Sequence, residues 1–505
     1  MSEAASISGT FCPVNRRRHV LIAAILASAM GFIDGSVLAI ATPAIRADLG
    51  ASLGDAQWIS NGYMLFLSSL LLIGGALGDR FGLRNVFAAG IGLFVAASIG
   101  SALAPNPPLL IAARALQGLG AAVMVPGSLA IIAKAYPRAE RGKAIGIWAS
   151  ASSLTTILGP ILGGLVLTWL GDWSWRLVFA INLPLGGGAL ALLFGVPADR
   201  SEGGRRLDLV GGALVTAALF LIAFGLTDTG GGAPPPGHIA LYGGIGLVLL
   251  AGFLVWEARA KVPMLPLGLF GNLGFAGAQA LTFALYFALS GVLFFLPMTL
   301  IAGWGTTAAE VSFALLPFGV VLTILSPISG RLADRIGAGP MIAAGATLVG
   351  IAFALMGVTS PLENVWLVLL PINVLLGIGM GLVVSPLSTA VMTSVADSDT
   401  GLASGVNNAV ARVAGLFAIA LLGGVVAMVF QGVLGHAAAG QPLAFGLPPQ
   451  GDLPPEMDAV RRAATDAAFA TVCYINAALA FCSAVIAWFT QERKLRGAIT
   501  RPTPP

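Results

Sequence analysis

The sequence predicts an all-α integral membrane protein of fourteen transmembrane helices, built as two six-helix bundles with two helices inserted between them. Three observations predict it. The 505 residues are 57% hydrophobic and only 10% charged, whereas roughly a quarter of the residues in a soluble domain are charged, and the mean hydropathy is +0.92. The apolar residues fall in fourteen runs, each close to the ~20 residues that a bilayer core asks of a helix. One octapeptide occurs twice, as GALGDRFG at 75–82 and GRLADRIG at 330–337.

In chain order the runs are 19–43, 56–77, 86–104, 107–131, 144–168, 177–195, 208–226, 238–256, 275–301, 309–330, 341–358, 365–386, 402–430 and 467–489, most of them separated by polar or Pro/Gly turns. The longest gap, 431–466, contains GLPPQGDLPPEMD and reads as an exposed loop. The start, NRRRHVLIAAILASA, has the basic flank and small-residue end of a cleavable signal. Its apolar run continues to Pro43, however, which favours a retained first helix.

Charge placement orients the chain. With the N-terminus cytoplasmic, twenty of the 26 Lys and Arg fall on the cytoplasmic side and four (Arg46, Arg176, Arg461, Arg462) on the outer side, leaving Arg114 and Arg412 within helices. This is the positive-inside pattern, which puts both termini on the cytoplasmic side; the expected location is the cell inner (plasma) membrane. It also accounts for the pI of about 9.2 without nucleic acid, for which no basic stripe interleaved with aromatics is present. The three cysteines, Cys12, Cys473 and Cys482, suggest neither a disulfide framework nor a metal site.

The repeated octapeptide sits at the same end of the second and tenth helices, eight helices apart. Two equal seven-helix halves do not fit that spacing; six plus six with two inserted helices does, and repeated halves are a feature of many transporter folds. The expected division is a cytoplasmic N-terminus (1–18), a first bundle (19–196), the inserted pair (197–264), a second bundle (265–491) and a cytoplasmic tail (492–505). Within the repeat, Gly75, Gly78, Gly82 and Gly330 allow close helix approach. Asp79 and Asp334 stand beside Arg80, Arg84 and Arg335, so the charges suit a latch that pairs in one conformation and releases in another.

One acid interrupts the first run. Asp34 lies nine residues before Pro43, and Arg114 seven residues after Pro107 on a helix of opposite direction. At 1.5 Å per residue both stand about 10–14 Å below the outer helix ends, which makes them natural partners. A charge at such depth is expensive and usually serves an ion pathway. Burial favours a neutral carboxyl and a nearby guanidinium favours an ionised one, so movement that changes their separation changes proton affinity. An arginine does not release its proton, leaving Asp34 as the expected proton carrier and the proton gradient, with no cofactor, as the energy source.

These residues resemble the major facilitator superfamily, and within it the fourteen-helix drug:proton antiporter branch. GALGDRFGLR (75–84) resembles the superfamily's loop 2–3 motif, RALQGLGAA (114–122) its helix 4 motif, and LTTILGPILGG (154–164) the helix 5 antiporter motif, with Thr155 where the pattern carries Gly. FIDGSVLAIATP resembles the branch's helix 1 motif, with Ala39 where Asn is usual; WRLVFAINLPLG (175–186) and GLASGVNNAVARVAG (401–415) also look like branch segments. The resemblance implies the major facilitator fold, alternating access, and a hinge or seal at Gly159, Pro160, Gly163 and Gly164. It implies a proton-coupled exporter of lipophilic drugs; the alternatives are a dedicated exporter of one antibiotic, sugar or siderophore and, last, a non-transport membrane scaffold or enzyme.

Transporters bind cargo near the midplane between their bundles. The candidate lining is Asn61, Tyr63, Gln117, Gln279, Phe283, Tyr286, Asn373, Asn408 and Arg412, with Trp58, Phe294 and Asn407 as further possibilities. With one acid and two bases inside the helices, lipophilic monocations, neutral amphiphiles and organic acids all remain open as cargo, whereas dications would call for more buried acids. The expected partners are therefore a small lipophilic substrate, H⁺ and the lipid bilayer, and the chain is compatible with a monomer. His19, His238 and His436 form no ligand cluster, GALGDRFG follows no strand, and no GxxxxGK[ST] is present, so neither catalysis nor nucleotide hydrolysis is expected.

Overall fold

In hydrocarbon every backbone N–H and C=O must be satisfied within its own segment, so apolar runs of this length become helices. The computed structural model describes residues 11–199, 207–228, 230, 232–435, 443–449, 451 and 453–491. Among them are fourteen spans: α1 (Val14–Leu49), α2 (Leu53–Phe81), α3 (Leu83–Ala102), α4 (Pro107–Ala135), α5 (Arg138–Leu170), α6 (Asp172–Phe194), α7 (Leu209–Leu226), α8 (Pro236–Arg259), α9 (Leu273–Gly303), α10 (Ala308–Ile336), α11 (Ala338–Leu362), α12 (Val365–Thr393), α13 (Asp397–Leu434) and α14 (Pro455–Thr490).

The internal repeat extends well beyond the octapeptide. Helices α2 and α10 are each 29 residues long, and each opens with a reciprocal capping box, Ser52 with Asp55 and Thr307 with Glu310. Each ends at a glycine with positive φ, Gly82 at 89° and Gly337 at 93°, a conformation that side chains with a Cβ rarely adopt. The last glycine of both octapeptides therefore makes the turn into the next helix.

Packing follows the same two-fold logic. In the first half α2 and α3 pack on α4, α1 on α5 and α6, and α3 on α6; in the second, α10 and α11 pack on α12, α9 on α13 and α14, and α11 on α14. The halves meet through α2 with α13, α5 with α10 and α1 with α9. Helices α7 and α8 pack on each other, and α7 straddles the seam by touching both α2 and α13. Trp58 of α2 is buried against α7, its ring 5.4 Å from Phe220 and 6.3 Å from Phe224, so it is a packing residue there rather than part of a cargo site.

Two sequence expectations are corrected. The gap 431–466 is not one exposed loop: α13 runs to Leu434 and α14 begins at Pro455. Between them Phe445 is only 2% exposed, with Phe295 and Phe430 around its ring, while residues 436–442, 450 and 452 lie outside the described residues. The first turns of α14 carry Glu456, Asp458, Arg461 and Arg462, whose charges hide a helix from a hydropathy window; Arg462 pairs with Asp458 at 2.9 Å and Glu363 at 2.7 Å. Nor is Asp34 the sole buried acid. Glu257 near the end of α8 accepts from the Leu265 N–H at 2.9 Å, and Asp466 of α14 accepts from Trp304 Nε1 at 2.9 Å and Ser360 Oγ at 2.7 Å.

Candidate functional site

Asp34 and Arg114 meet as their depths predict. Both are essentially inaccessible, and Arg114 Nη1 donates to Asp34 Oδ2 at 2.6 Å and Oδ1 at 2.8 Å. The same nitrogen donates to Gln117 Oε1 at 2.8 Å, and Nε donates to the Ile59 carbonyl at 3.1 Å. Gln117 Nε2 donates to Ser98 Oγ at 2.8 Å and, at 3.4 Å, to Asp34 Oδ1; Asn182 Nδ2 also donates to Ser98 Oγ at 3.2 Å. A buried ion pair survives only when its remaining donors and acceptors are satisfied, and α1, α2, α3, α4 and α6 all contribute to doing so. The sequence reading missed Ser98 and Asn182; their signal is polarity inside otherwise apolar runs.

The Arg114 guanidinium also lies over aromatic rings, 4.4 Å from the Tyr63 centroid and 5.6 Å from that of Phe179. Tyr63 stands between this pair and a cavity of about 850 Å³ that it helps to line. The cavity is walled by the N-terminal half of α1 (Ser28, Gly31, Phe32), the C-terminal halves of α2 and α4 (Gly75, Asp79, Met124, Ser128), Trp148 of α5, and the N-terminal half of α13 (Thr400, Gly405, Asn408, Arg412). All these half-helices run to the face that carries the N-terminus, so the cavity opens there. Its size is that of a site for a drug-sized molecule.

The opposite face is closed. Ser312 Oγ of α10 donates to the Pro160 carbonyl of α5 at 2.8 Å, and the Ala309 N–H donates to Thr168 Oγ1 at 3.0 Å. Gln57 of α2 donates to the Ile419 and Ala420 carbonyls of α13, and Arg46 Nη1 to the Phe445 carbonyl at 2.6 Å. The glycines of α5 make its two contacts possible. A Cβ on Gly163 would stand 2.3 Å from Val37 Cγ1 of α1, and one on Gly164 2.1 Å from Ser312 Oγ and 2.6 Å from the Ala308 carbonyl oxygen of α10. Gly159 faces Ser36 and Ile33 of α1 in ordinary or slightly tight contact.

At the open face Asp79, Arg80 and Arg335 are exposed and make no ion pair among the described residues, and Asp334 is exposed as well. Gly75 lines the cavity with open space around it, while Gly78 lies against Leu83 and Gly330 against Ser385. Arg84 is not aimed at the opening: its Nη2 donates to the Leu193 carbonyl at 2.8 Å, anchoring α3 to the end of α6. Asp199, just beyond α6, accepts from the backbone N–H groups of Leu83 at 3.0 Å and Arg84 at 2.9 Å, and from Lys134 Nζ at 2.9 Å. Burial pushes the Asp199 carboxyl up, but these donors outweigh it and hold it below the usual carboxylate range.

The cargo candidates separate. Tyr63, Asn408 and Arg412 line the cavity. Gln117 is consumed by the buried ion-pair network, and Asn373 is fully buried with Nδ2 donating to the Ala314 carbonyl of α10 at 2.9 Å. Asn61 and Gln279 are buried away from the cavity. Phe283 packs near Phe287 and Phe417; Tyr286 is half-buried, and Phe294 packs edge-on to Phe295. Asn407 accepts from Thr282 of α9 at 2.8 Å, an interhelical pin.

Two related helical bundles, a cavity open at one face, a seal at the other and a charge pair buried behind one wall define a membrane transporter. The chain belongs to the Major Facilitator Superfamily, whose family model matches residues 24–419 and 280–503. It is 33% identical over 420 residues to the tetracenomycin C resistance and export protein of Streptomyces glaucescens, covering 80% of this chain and 74% of that one. It is likewise 33% identical over 413 residues to the multidrug resistance protein Stp of Mycobacterium tuberculosis (strain CDC 1551 / Oshkosh), covering 81% and 75%. Among solved structures, a bacterial homolog of the human lysosomal transporter Spinster, in an inward-facing and unoccupied conformation, shares the fold with a TM-score of 0.66 at 17% identity, over 96% of this chain and 100% of that one.

Proposed function

We propose that this protein is a proton-coupled antiporter that exports lipophilic drugs or other small organic molecules by alternating access, in the inner (plasma) membrane with its N-terminal face cytoplasmic. The observation that carries the proposal is the Asp34–Arg114 pair, shielded from water yet separated from the open cavity by Tyr63. On this orientation the structure is open inward. Cargo enters between α2, α4 and α13, while the contacts of α5 with α10 close the outer side. Protonation of Asp34 removes its charge and weakens its hold on Arg114, which keeps Gln117 and the Ile59 carbonyl as acceptors. The pair thus has two protonation states that a conformational change can favour unequally, as coupling requires.

The exposed Asp79, Arg80, Asp334 and Arg335 act in this scheme as the inner latch that forms when the cavity closes, and the Gly159–Gly164 stretch as the outer seal that prevents leak. The names of its relatives support both a multidrug and a single-antibiotic cargo; a panel of substrates decides between them. The test uses everted membrane vesicles, acid inside, with wild type or Asp34→Asn. Compounds that release protons through wild type and not through the variant establish antiport and name the cargo class. Proton-driven export by Asp34→Asn at the wild-type rate refutes the coupling role.

A further inference from the structure

Arg412 stands well inside α13, half-buried in the cavity wall. It makes no hydrogen bond or ion pair among the described residues. A guanidinium has five N–H donors and no way to discard its charge, and leaving it unpaired inside a membrane protein is costly. The buried arginines among the described residues are all partnered: Arg114 has Asp34, Arg17 has Glu140, Arg46 has the Phe445 and Ala51 carbonyls, and Arg461 has Asp458 and the Ala302 carbonyl.

No acid of the cavity is placed to neutralise it. Asp399 precedes Arg412 by thirteen residues on the same helix, about 20 Å at the helical rise. Asp79 follows Tyr63, at the same deep end, by sixteen residues, about 24 Å. Both separations exceed the screening length of roughly 8 Å at physiological salt. Asp34 is committed to Arg114 on the far side of Tyr63. What shares the deep end of the cavity with Arg412 is polar but uncharged: Tyr63 lines it as well, and Asn408 lies one helical turn away on the same wall. The rest of the wall supplies apolar and aromatic surface, with Phe32, Met124 and Trp148.

Resting on the export reading above, we propose that Arg412 is the recognition site for an anionic group of the cargo, so that the preferred substrate class is a lipophilic organic acid: an apolar, ring-sized body carrying one carboxylate or comparably acidic group. The acid pairs with the guanidinium through charge-assisted hydrogen bonds, with the amide of Asn408 and the phenol of Tyr63 beside it, and the body lies against the aromatic wall. Of the three cargo classes that composition leaves open, lipophilic cations are disfavoured because they would meet an unneutralised positive charge at the deep end.

The test separates binding from transport. The full-length protein in lipid nanodiscs is titrated calorimetrically with anthraquinone-2-carboxylate, its uncharged methyl ester, and an anthraquinone bearing a trimethylammonium group, with empty nanodiscs subtracted. Wild type is expected to bind the acid at least tenfold more tightly than the ester or the cation. Arg412→Gln is expected to lose at least tenfold toward the acid and to stay within twofold for the ester, with Arg412→Lys in between. Absence of acid preference in wild type, or equal losses for acid and ester in Arg412→Gln, overturns the proposal. The unaltered ester affinity also shows that the variant is folded. Everted vesicles then test the export reading separately: acid binding that depends on Arg412 without gradient-driven movement of the acid leaves the site standing and sinks proton-driven export.

Discussion

Replacing Gly164 by alanine adds one methyl group at the tightest contact between α5 and α10. The new Cβ would stand 2.6 Å from the Ala308 carbonyl oxygen and 2.1 Å from Ser312 Oγ. Ordinary contacts begin near about 3.5 Å, so the backbone atom is roughly 1 Å too close and no rotamer relieves it. Ser312 can turn away only by giving up its bonds to the Pro160 and Ala308 carbonyls at 2.8 and 2.9 Å. Overpacking of this kind costs about 1–3 kcal/mol. The cost falls on the state in which α5 and α10 touch, so it shifts the equilibrium away from that state by a factor of about 5–150. The assay is pulsed electron spin resonance on nitroxides attached through Trp169→Cys and Ala309→Cys, in a background lacking Cys12, Cys473 and Cys482. Gly164→Ala should move population to longer distances. Gly146→Ala, on the same helix where a Cβ meets nothing within 4 Å, should not. Indistinguishable distance distributions for the two variants refute the reasoning that this contact is the seal.

Three further outcomes are expected. Arg114→Gln alone should destabilise the protein by about 3–5 kcal/mol, the cost of stranding a buried charge, unless Asp34 takes up a proton. The double variant Asp34→Asn/Arg114→Gln should recover part of that loss in thermal unfolding, and additive effects would remove the coupling between the two residues. Asp199 contributes stability because its folded-state carboxyl is held low. That contribution is complete above the ordinary carboxylate value of about 4 and is lost as pH falls further, through the lowered value of the folded state. Wild type should therefore lose stability on acidification below about pH 4 more steeply than Asp199→Asn, and parallel pH profiles would contradict this. Arg46→Ala removes donors to the Phe445 and Ala51 carbonyls and should loosen the closed face; unchanged protease access to residues 443–449 would count against it.

Some of the site was legible in the sequence. Asp34 and Arg114 could be paired because depth along a helix is simply residue count times rise, and because lone charges in an apolar run are few. The repeat was legible because both copies keep the same glycine and acid spacing. The lining of the cavity was not. Asn373 and Arg412 both interrupt apolar helices of the second half, yet Asn373 bonds to the Ala314 carbonyl of α10 and Arg412 faces open space. Arg84 lay in the gate motif by sequence and in an α3–α6 anchor by structure. Ser98 and Asn182 became part of the Asp34–Arg114 network only because α3 and α6 bring them to Gln117 and to each other.

The sequence by itself determined the number of helices, their order, their expected orientation and the two-fold relation of the bundles. All of these follow from local length, charge and repetition, since a helix in lipid satisfies its backbone within its own segment. Which face of each helix meets a neighbour, a cavity or lipid was decided only by tertiary structure. A soluble helix advertises its buried face by contrast with a polar one. These helices are apolar all round, because lipid and protein interior ask for the same side chains, and so the contrast that would have marked the cavity is absent from the chain until it packs.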